Sequence, residues 1–86
     1  MTHSRHLKST VTVETVGKVD ISTIDLSTHG VPFLNGYETC LFWGREAEVV
    51  QTYGTWDEAV AGHAEFKSAE KVAHAIHAVY LDRINH

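Results

Sequence analysis

The sequence contains little of what marks several protein classes. Among its 86 residues are one cysteine and one proline, and it has 7 Lys and Arg against 11 Asp and Glu. A single cysteine cannot form an intramolecular disulfide, on which small secreted domains usually depend. The chain also lacks the 18 consecutive apolar residues typical of a membrane span and the apolar segment of a signal peptide. We therefore expect an intracellular protein that does not enter membranes.

The charge balance argues against two further partners. The formal net charge is −4 with neutral histidine, and the isoelectric point is about 5.9. Nucleic-acid-binding domains and segments that bind anionic lipid are normally basic. The sequence therefore predicts no nucleic-acid partner and no membrane partner.

Histidine is over-represented. The chain has seven histidines, whereas a globular protein of this length has about two. Full protonation would change the net charge from −4 to +3 (−4 + 7), within the pH range where imidazole titrates. The histidines are His3, His6, His29, His63, His74, His77 and His86.

Residues 1–86 are predicted to form a single domain, with a polar tail over 1–8, a β-sheet over 9–53 and a helical segment over 55–83. Apolar and polar residues alternate in the sheet region, and Gly17-Lys18 is predicted to form a two-residue hairpin turn. Ile24 and Leu26 are out of phase with Val19 and Ile21, which predicts a β-bulge or a bend near Ser22-Thr23. Strands are predicted over four segments: 9–16, 19–26, 37–43 and 47–53.

The C-terminal third is predicted to be helical. Thr55 and Glu58 form a capping box at its start. A helix from Trp56 to about Asp82 would place its apolar residues on one arc, and a break near Lys67-Ser68 is the alternative. The expected fold is α+β, with about four antiparallel strands in meander order and one long C-terminal helix packed on one face.

Surplus apolar residues predict self-association. A helix of this length would extend about 40 Å, whereas the strands extend only about 20 Å. Its C-terminal turns would therefore overhang the sheet with an apolar seam spaced like that of a two-helix coil. The loop over 27–36 adds apolar residues of its own. The predicted interface residues are Val31, Phe33, Leu34, Ile76, Val79, Tyr80 and Ile84.

One metal site can be built from sequence spacing. Glu70, His74 and His77 lie at positions i, i+4 and i+7, on one side of a helix, and this donor set suits Zn²⁺. His63 is too far along the helix to join them. The competing interpretation is that these are ordinary surface histidines, so no cofactor is expected unless Zn²⁺ binds there.

Catalysis is not predicted. Cys40 lies in an apolar strand, where burial makes a thiol inert. The Ser27-Thr28-His29 segment is typical of a turn whose hydroxyls satisfy backbone groups. The sequence also lacks a phosphate-binding glycine loop.

Two separated motifs within residues 19–65 resemble a pattern in small uncharacterised proteins of actinobacterial phages and prophages. The first comprises the strand I-S-T-I-D-L, then His29-Gly30, Pro32 and the run Y-E-T-C-L-F-W-G. It is similar to V-S-T-V-x-L, a loop with His-Gly and Pro, and (F/Y)-E-T-M-(V/I)-F-G-G. The second, T-Y-G-T-W-D-E-A-V-A-G-H, is similar to R-Y-x-T-x-x-E-A-x-x-G-H.

The chain departs from this pattern at several points. Cys40 stands in place of Met, and Trp43 stands in place of the first glycine of the pair. The loop after Leu26 is shorter, and the helix beyond Phe66 lies outside the pattern. The resemblance implies a phage origin but no activity, cofactor or catalytic residue.

Together these features predict a non-enzymatic, phage-encoded protein–protein interaction module that modulates a host or phage protein. We expect a homo-oligomer, a dimer or larger. One alternative is a structural accessory of the capsid or tail, and another is a histidine-based metal-binding or pH-responsive protein. The expected location is the host cytoplasm or the virion.

Overall fold

The computed structural model describes residues 5–28 and 36–85. Four strands form one antiparallel sheet in the order β1-β2-β3-β4, and two helices follow. This confirms the α+β meander fold. The elements are β1 (His6–Val13), β2 (Gly17–Asp25), a short 3-10 helix (Leu26–Thr28), β3 (Tyr37–Trp43), β4 (Glu46–Tyr53), α1 (Trp56–Glu65) and α2 (Ala69–Ile84).

The first hairpin lies nearer the N-terminus than the sequence pattern suggests. β1 begins at His6, inside the segment predicted to be a tail, and Val13 pairs with Gly17. The turn is formed by residues 14–16, and the amide of Val16 donates to the carbonyl of Val13 over 3.2 Å. Gly17 has a φ of +85°, a backbone conformation that glycine adopts without steric cost. The glycine therefore closes the hairpin from the first position of β2.

The β-bulge predicted near Ser22-Thr23 is wrong. β1 and β2 pair in continuous register along both strands, and Thr23 faces the core with 0% exposure. The apparent change of phase arises because this core position holds a threonine, while the apolar Ile24 faces the other side. The register shift lies between β3 and β4 instead, at Thr39/Cys40.

The helical segment is two helices rather than one. Thr55 caps α1, since its side chain accepts from the amide of Glu58, and Ser68 caps α2 by accepting from the amide of Lys71. A serine in this capping role satisfies an amide that lacks an intrahelical partner. Phe66 at the end of α1 is 3% exposed, so the break also turns an aromatic ring into the core. The structure therefore agrees with the alternative prediction, a break near Lys67-Ser68.

Both helices pack on the same face of the sheet. The odd-numbered side chains of β1, β2 and β3 point toward them, while the even-numbered ones point away. Burial of apolar surface on this side supplies the main stabilisation of the fold. The core consists of Val13, Val19, Ile21, Leu41, Trp43, Phe66, Val72 and Ile76.

The opposite side of the sheet, here called the outer face, has no described element covering it. Residues directly opposite each other on paired strands share a face, so the register defines this surface. Within the described residues, no helix is both long and apolar enough to cross a bilayer. The outer face consists of His6, Lys8, Thr10, Thr12, Lys18, Asp20, Ser22, Ile24, Glu38, Cys40, Phe42, Ala47, Val49 and Thr52.

Candidate functional site

A chain of hydrogen-bonded side chains runs through the interior between the sheet and α1. His63 Nε2 lies 2.8 Å from Ser9 Oγ, and His63 Nδ1 lies 2.7 Å from Thr23 Oγ1. Thr23 Oγ1 is 2.6 Å from Thr39 Oγ1, which is 3.0 Å from the hydroxyl of Tyr53. We call these five residues the polar array.

Strand register and one glycine bring the array together. Thr23 and Thr39 are direct cross-strand partners on β2 and β3. His63 reaches them from α1 because the preceding residue is Gly62, which is packed against the ring of Tyr53. A Cβ at Gly62 would lie 2.2 Å from Tyr53 Cε1, closer than non-bonded carbon atoms approach. The glycine therefore allows α1 to lie close to the sheet.

The environment of the array favours neutral side chains. Burial lowers the pKa of His63 below its ordinary value of 6.5, and the charge of Lys67 and the imidazole of His6 act in the same direction. Burial likewise raises the pKa of Tyr53 above 10.0, partly offset by its hydrogen bond with Thr39. A neutral imidazole donates through one nitrogen and accepts through the other, so both hydroxyl partners of His63 can be satisfied.

The Ser9–His63 pair has the connectivity of a nucleophile and its base, but its setting is that of a packed interior. His63 is 3% exposed, and both of its ring nitrogens contact hydroxyls of this chain. In the described part of the chain, every buried side-chain nitrogen or oxygen has a hydrogen-bond partner. The array therefore fits a satisfied polar core that fixes the position of α1.

The outer face has a different character. Phe42 is 42% exposed and Val49 is 48% exposed. Phe42 pairs across the strands with Ala47, and Cys40 pairs with Val49. These four neighbours form what we call the apolar stripe, which occupies the β3–β4 half of the outer face. A solvated sheet face normally carries polar side chains, so this stripe marks a surface suited to contact with another molecule.

Polar side chains predominate in the β1–β2 half of the outer face, where Ile24 is the apolar exception. His6 Nε2 lies 2.7 Å from Ser22 Oγ, and Thr10 donates to Asp20 over 2.9 Å. A groove of about 440 Å³ runs over this half and is bordered by Lys8 and Phe42. The outer face thus combines the apolar stripe with polar neighbours, a mixed character that interaction surfaces share.

Cys40 lies at the centre of the outer face. Burial raises the pKa of its thiol above 9.0, and the negative charges of Glu38 and Glu48 add to the effect. The thiolate is the reactive form of cysteine, so Cys40 is placed for packing rather than for nucleophilic attack.

The three residues of the predicted metal site are not grouped around a common point in the structure. Glu70, His74 and His77 are all exposed on α2. His74 borders a groove with Gln51, whereas His77 borders a separate groove with Thr15. Among residues 5–28 and 36–85, no group of three His, Cys, Asp or Glu side chains is placed to hold a metal ion. Binding of Zn²⁺ would require these exposed side chains to converge on the ion.

The predicted interface residues have several different placements. Ile76 is 3% exposed and belongs to the core, because α2 turns this side chain toward the sheet. The indole Nε1 of Trp43 donates to the hydroxyl of Tyr80 over 3.1 Å. Val79 borders a groove between α2 and β4, and Ile84 is 77% exposed. Three further residues, Val31, Phe33 and Leu34, lie outside the described residues.

Sequence reasoning missed both the polar array and the apolar stripe. The signal for the array was a threonine in each of two strands, at a position that alternates in step with the buried apolar residues. The two patterns are V-x-I-x-T over residues 19–23 and T-x-L-x-W over residues 39–43. The signal for the stripe was the presence of apolar Phe42 and Val49 at strand positions whose side chains point away from the core. Both signals require the strand register, which the sequence leaves open.

Comparison of the chain with protein-family models, with curated proteins and with solved structures finds no significant match to any of them.

Proposed function

We propose that this protein is a non-enzymatic, phage-encoded protein–protein interaction module whose contact surface is the outer face of the sheet. The observation that carries the proposal is the apolar stripe, in which Phe42 and Val49 are almost half exposed beside Cys40 and Ala47. Contiguous exposed apolar surface with a polar surround is typical of a binding surface. The phage origin rests on the sequence resemblance.

The non-enzymatic role is supported by the way in which the polar groups are used. The side chains with the arrangement of a nucleophile and a base, Ser9 and His63, are engaged with each other inside the protein. On the outer face, the hydrogen bonds of Ser22 and Asp20 likewise go to side chains of this chain. On the outer face, these contacts leave the apolar side chains of the stripe as the part that hydrogen bonds within the chain do not satisfy.

Site-specific photo-crosslinking in host cells tests the proposal. The photoreactive residue p-benzoylphenylalanine replaces Phe42 in one variant and Val60 in the other. Val60 on α1 is a matched control because both side chains are 42% exposed. We expect protein adducts from position 42 and none from position 60.

The absence of adducts from position 42 would contradict the interaction role. An adduct with a protein of purified phage particles would instead support the alternative of a virion accessory. In each case the adduct is identified by its mass and by peptide sequencing.

A further inference from the structure

We infer that the surface that packs on the outer face is the outer face of a second copy of this chain, in a two-fold symmetric dimer. This inference rests on the proposed function, and it names the partner. The argument uses the arrangement of side chains over the outer face, the charge of that face and its area.

The side chains of the outer face form cross-strand rows. The two central rows are Lys8-Ser22-Cys40-Val49 and Thr10-Asp20-Phe42-Ala47. Beyond them, a row through Glu38 lies at one end of the face, and a row through Lys18 lies at the other end.

A two-fold interface brings the same patch of both copies together. An axis that lies between the two sheets, perpendicular to the strands and midway between the two central rows, places each strand over its own counterpart. The central row that contains Cys40 then lies over the central row of the second copy that contains Phe42. By symmetry, the row that contains Phe42 lies over the second copy's row that contains Cys40. Cys40 faces Phe42 of the second copy, and Val49 faces Ala47 of the second copy. The apolar stripe is thereby covered by the apolar stripe.

The same axis pairs opposite charges. Asp20 comes to lie over the central row that contains Lys8 of the second copy, one strand away from it. Glu38 at one end of the face comes to lie over the row that contains Lys18 of the second copy, again one strand away. The symmetry repeats each pair, so two lysines and two carboxylates per copy all find opposite charges.

Charge also distinguishes the outer face from the rest of the molecule. The chain carries a formal charge of −4 with histidine counted as neutral, but the formal charges of the two lysines and two carboxylates on the outer face cancel. Two copies can therefore approach through this face without the repulsion that the rest of the surface imposes.

The area of the face is sufficient for a small dimer. Four strands about 4.8 Å apart and about eight residues long give a footprint of roughly 500 Å² per copy. Two copies together bury about 1,000 Å², which is the lower limit for a specific interface. Face-to-face packing of two sheets about 10 Å apart is a common arrangement in proteins.

The first measurement is the mass of the purified chain by light scattering and by sedimentation at about 100 μM. We expect twice the 9.6 kDa of one chain. Phe42→Lys should give a folded monomer, because Phe42 is 42% exposed and outside the core, and its melting temperature should fall only by the stabilisation that association contributes. Val49→Lys, a second outer-face variant, should also give a monomer. Val60→Lys, at a residue with the same exposure as Phe42, should stay dimeric.

A charge swap tests the orientation. Lys18 and Glu38 are about 20 Å apart along the strands of one chain, given about 3.3 Å per residue, so they meet only between copies. Lys18→Glu should raise the dissociation constant about tenfold, because it places like charges together at two symmetric positions. Adding Glu38→Lys to that variant should restore the wild-type value.

Three results would overturn the inference: a monomer at this concentration, a dimer that Phe42→Lys leaves intact, or a charge swap that fails to restore association. Photo-crosslinking at position 42 separates this failure from that of the proposed function. An adduct of twice the chain mass supports the dimer. An adduct with another protein, without one of twice the chain mass, preserves the interaction role but rejects self-association, and no adduct rejects both.

Discussion

The hydroxyl of Thr23 and the Nδ1 atom of His63 lie 2.7 Å apart inside the protein, although 40 residues separate them in the sequence. This contact joins β2 to α1 at the centre of the polar array. An apolar contact tolerates sliding, whereas a hydrogen bond in a buried site fixes distance and direction. The array therefore determines where α1 lies on the sheet.

Loss of the hydroxyl at Thr23 should be destabilising. Thr23→Val keeps the shape of the side chain but leaves His63 and Thr39 without one of their partners. We expect a loss of about 1–3 kcal/mol in the free energy of unfolding, measured by urea denaturation. Thr15→Val, at an exposed residue of the first turn and away from the outer face, should change stability by less than about 0.5 kcal/mol. Equal effects of the two substitutions would show that the array contributes no more than a surface contact.

Stability should fall on mild acidification because of His63. Burial lowers its pKa in the folded state, whereas the unfolded value is about 6.5. At a pH between the folded and unfolded pKa values of His63, the imidazole is mostly protonated in the unfolded state and mostly neutral in the folded state. The contribution to stability is therefore complete above about pH 6.5 and is lost as the pH falls toward the folded pKa, with a slope of up to about 1.4 kcal/mol per pH unit.

The matched variants for this pH dependence are His63→Gln and His74→Gln, with urea denaturation at several pH values between 5 and 8. His63→Gln should be less stable than the wild type at pH 7.5, and its stability should depend less on pH below 6.5. His74→Gln removes an exposed histidine outside the array and should retain the wild-type slope. A His63→Gln protein with the full wild-type slope would assign the pH dependence to other groups.

Substitution of Gly62 by alanine should destabilise the fold, although alanine is the better helix former. The added Cβ would overlap the ring of Tyr53, and overpacking of this kind costs about 1–3 kcal/mol. The gain in helix propensity is about 1 kcal/mol, so a net loss of up to about 2 kcal/mol is expected in thermal or urea unfolding. Tyr53→Leu in the same chain should relieve part of the loss, and a strictly additive double variant would contradict the close approach.

We expect Tyr80 to stabilise the fold of its own chain rather than to contact a second copy. Its hydroxyl accepts from Trp43 Nε1, and the two rings are edge to face with centroids 6.4 Å apart. Tyr80→Phe should lower stability by about 1 kcal/mol and change the tryptophan fluorescence spectrum. The oligomeric mass should stay the same. A change in mass would instead assign Tyr80 to a contact between copies, as the helical spacing suggests.

Much of the fold is determined by local sequence. The type and order of the elements follow from the alternation of Val19 and Ile21, the capping box of Thr55 and Glu58, and the glycine-containing turns. These signals suffice for an α+β meander because each strand is joined to the next by a short connection. The same local signals leave the helix break at Ser68 as one of two alternatives.

Tertiary structure decided the rest. Threonine has a high β-propensity whether it is buried or exposed, so the strand pattern did not show that Thr23 and Thr39 point inward. Only α1, which brings His63 to these hydroxyls, makes the inward orientation favourable. The apolar stripe depends in the same way on the pairing of β3 with β4, because a shift of one residue would turn Phe42 and Val49 to the other face. Register and helix placement arise from contacts distant in sequence, and these contacts determine both the polar array and the outer face.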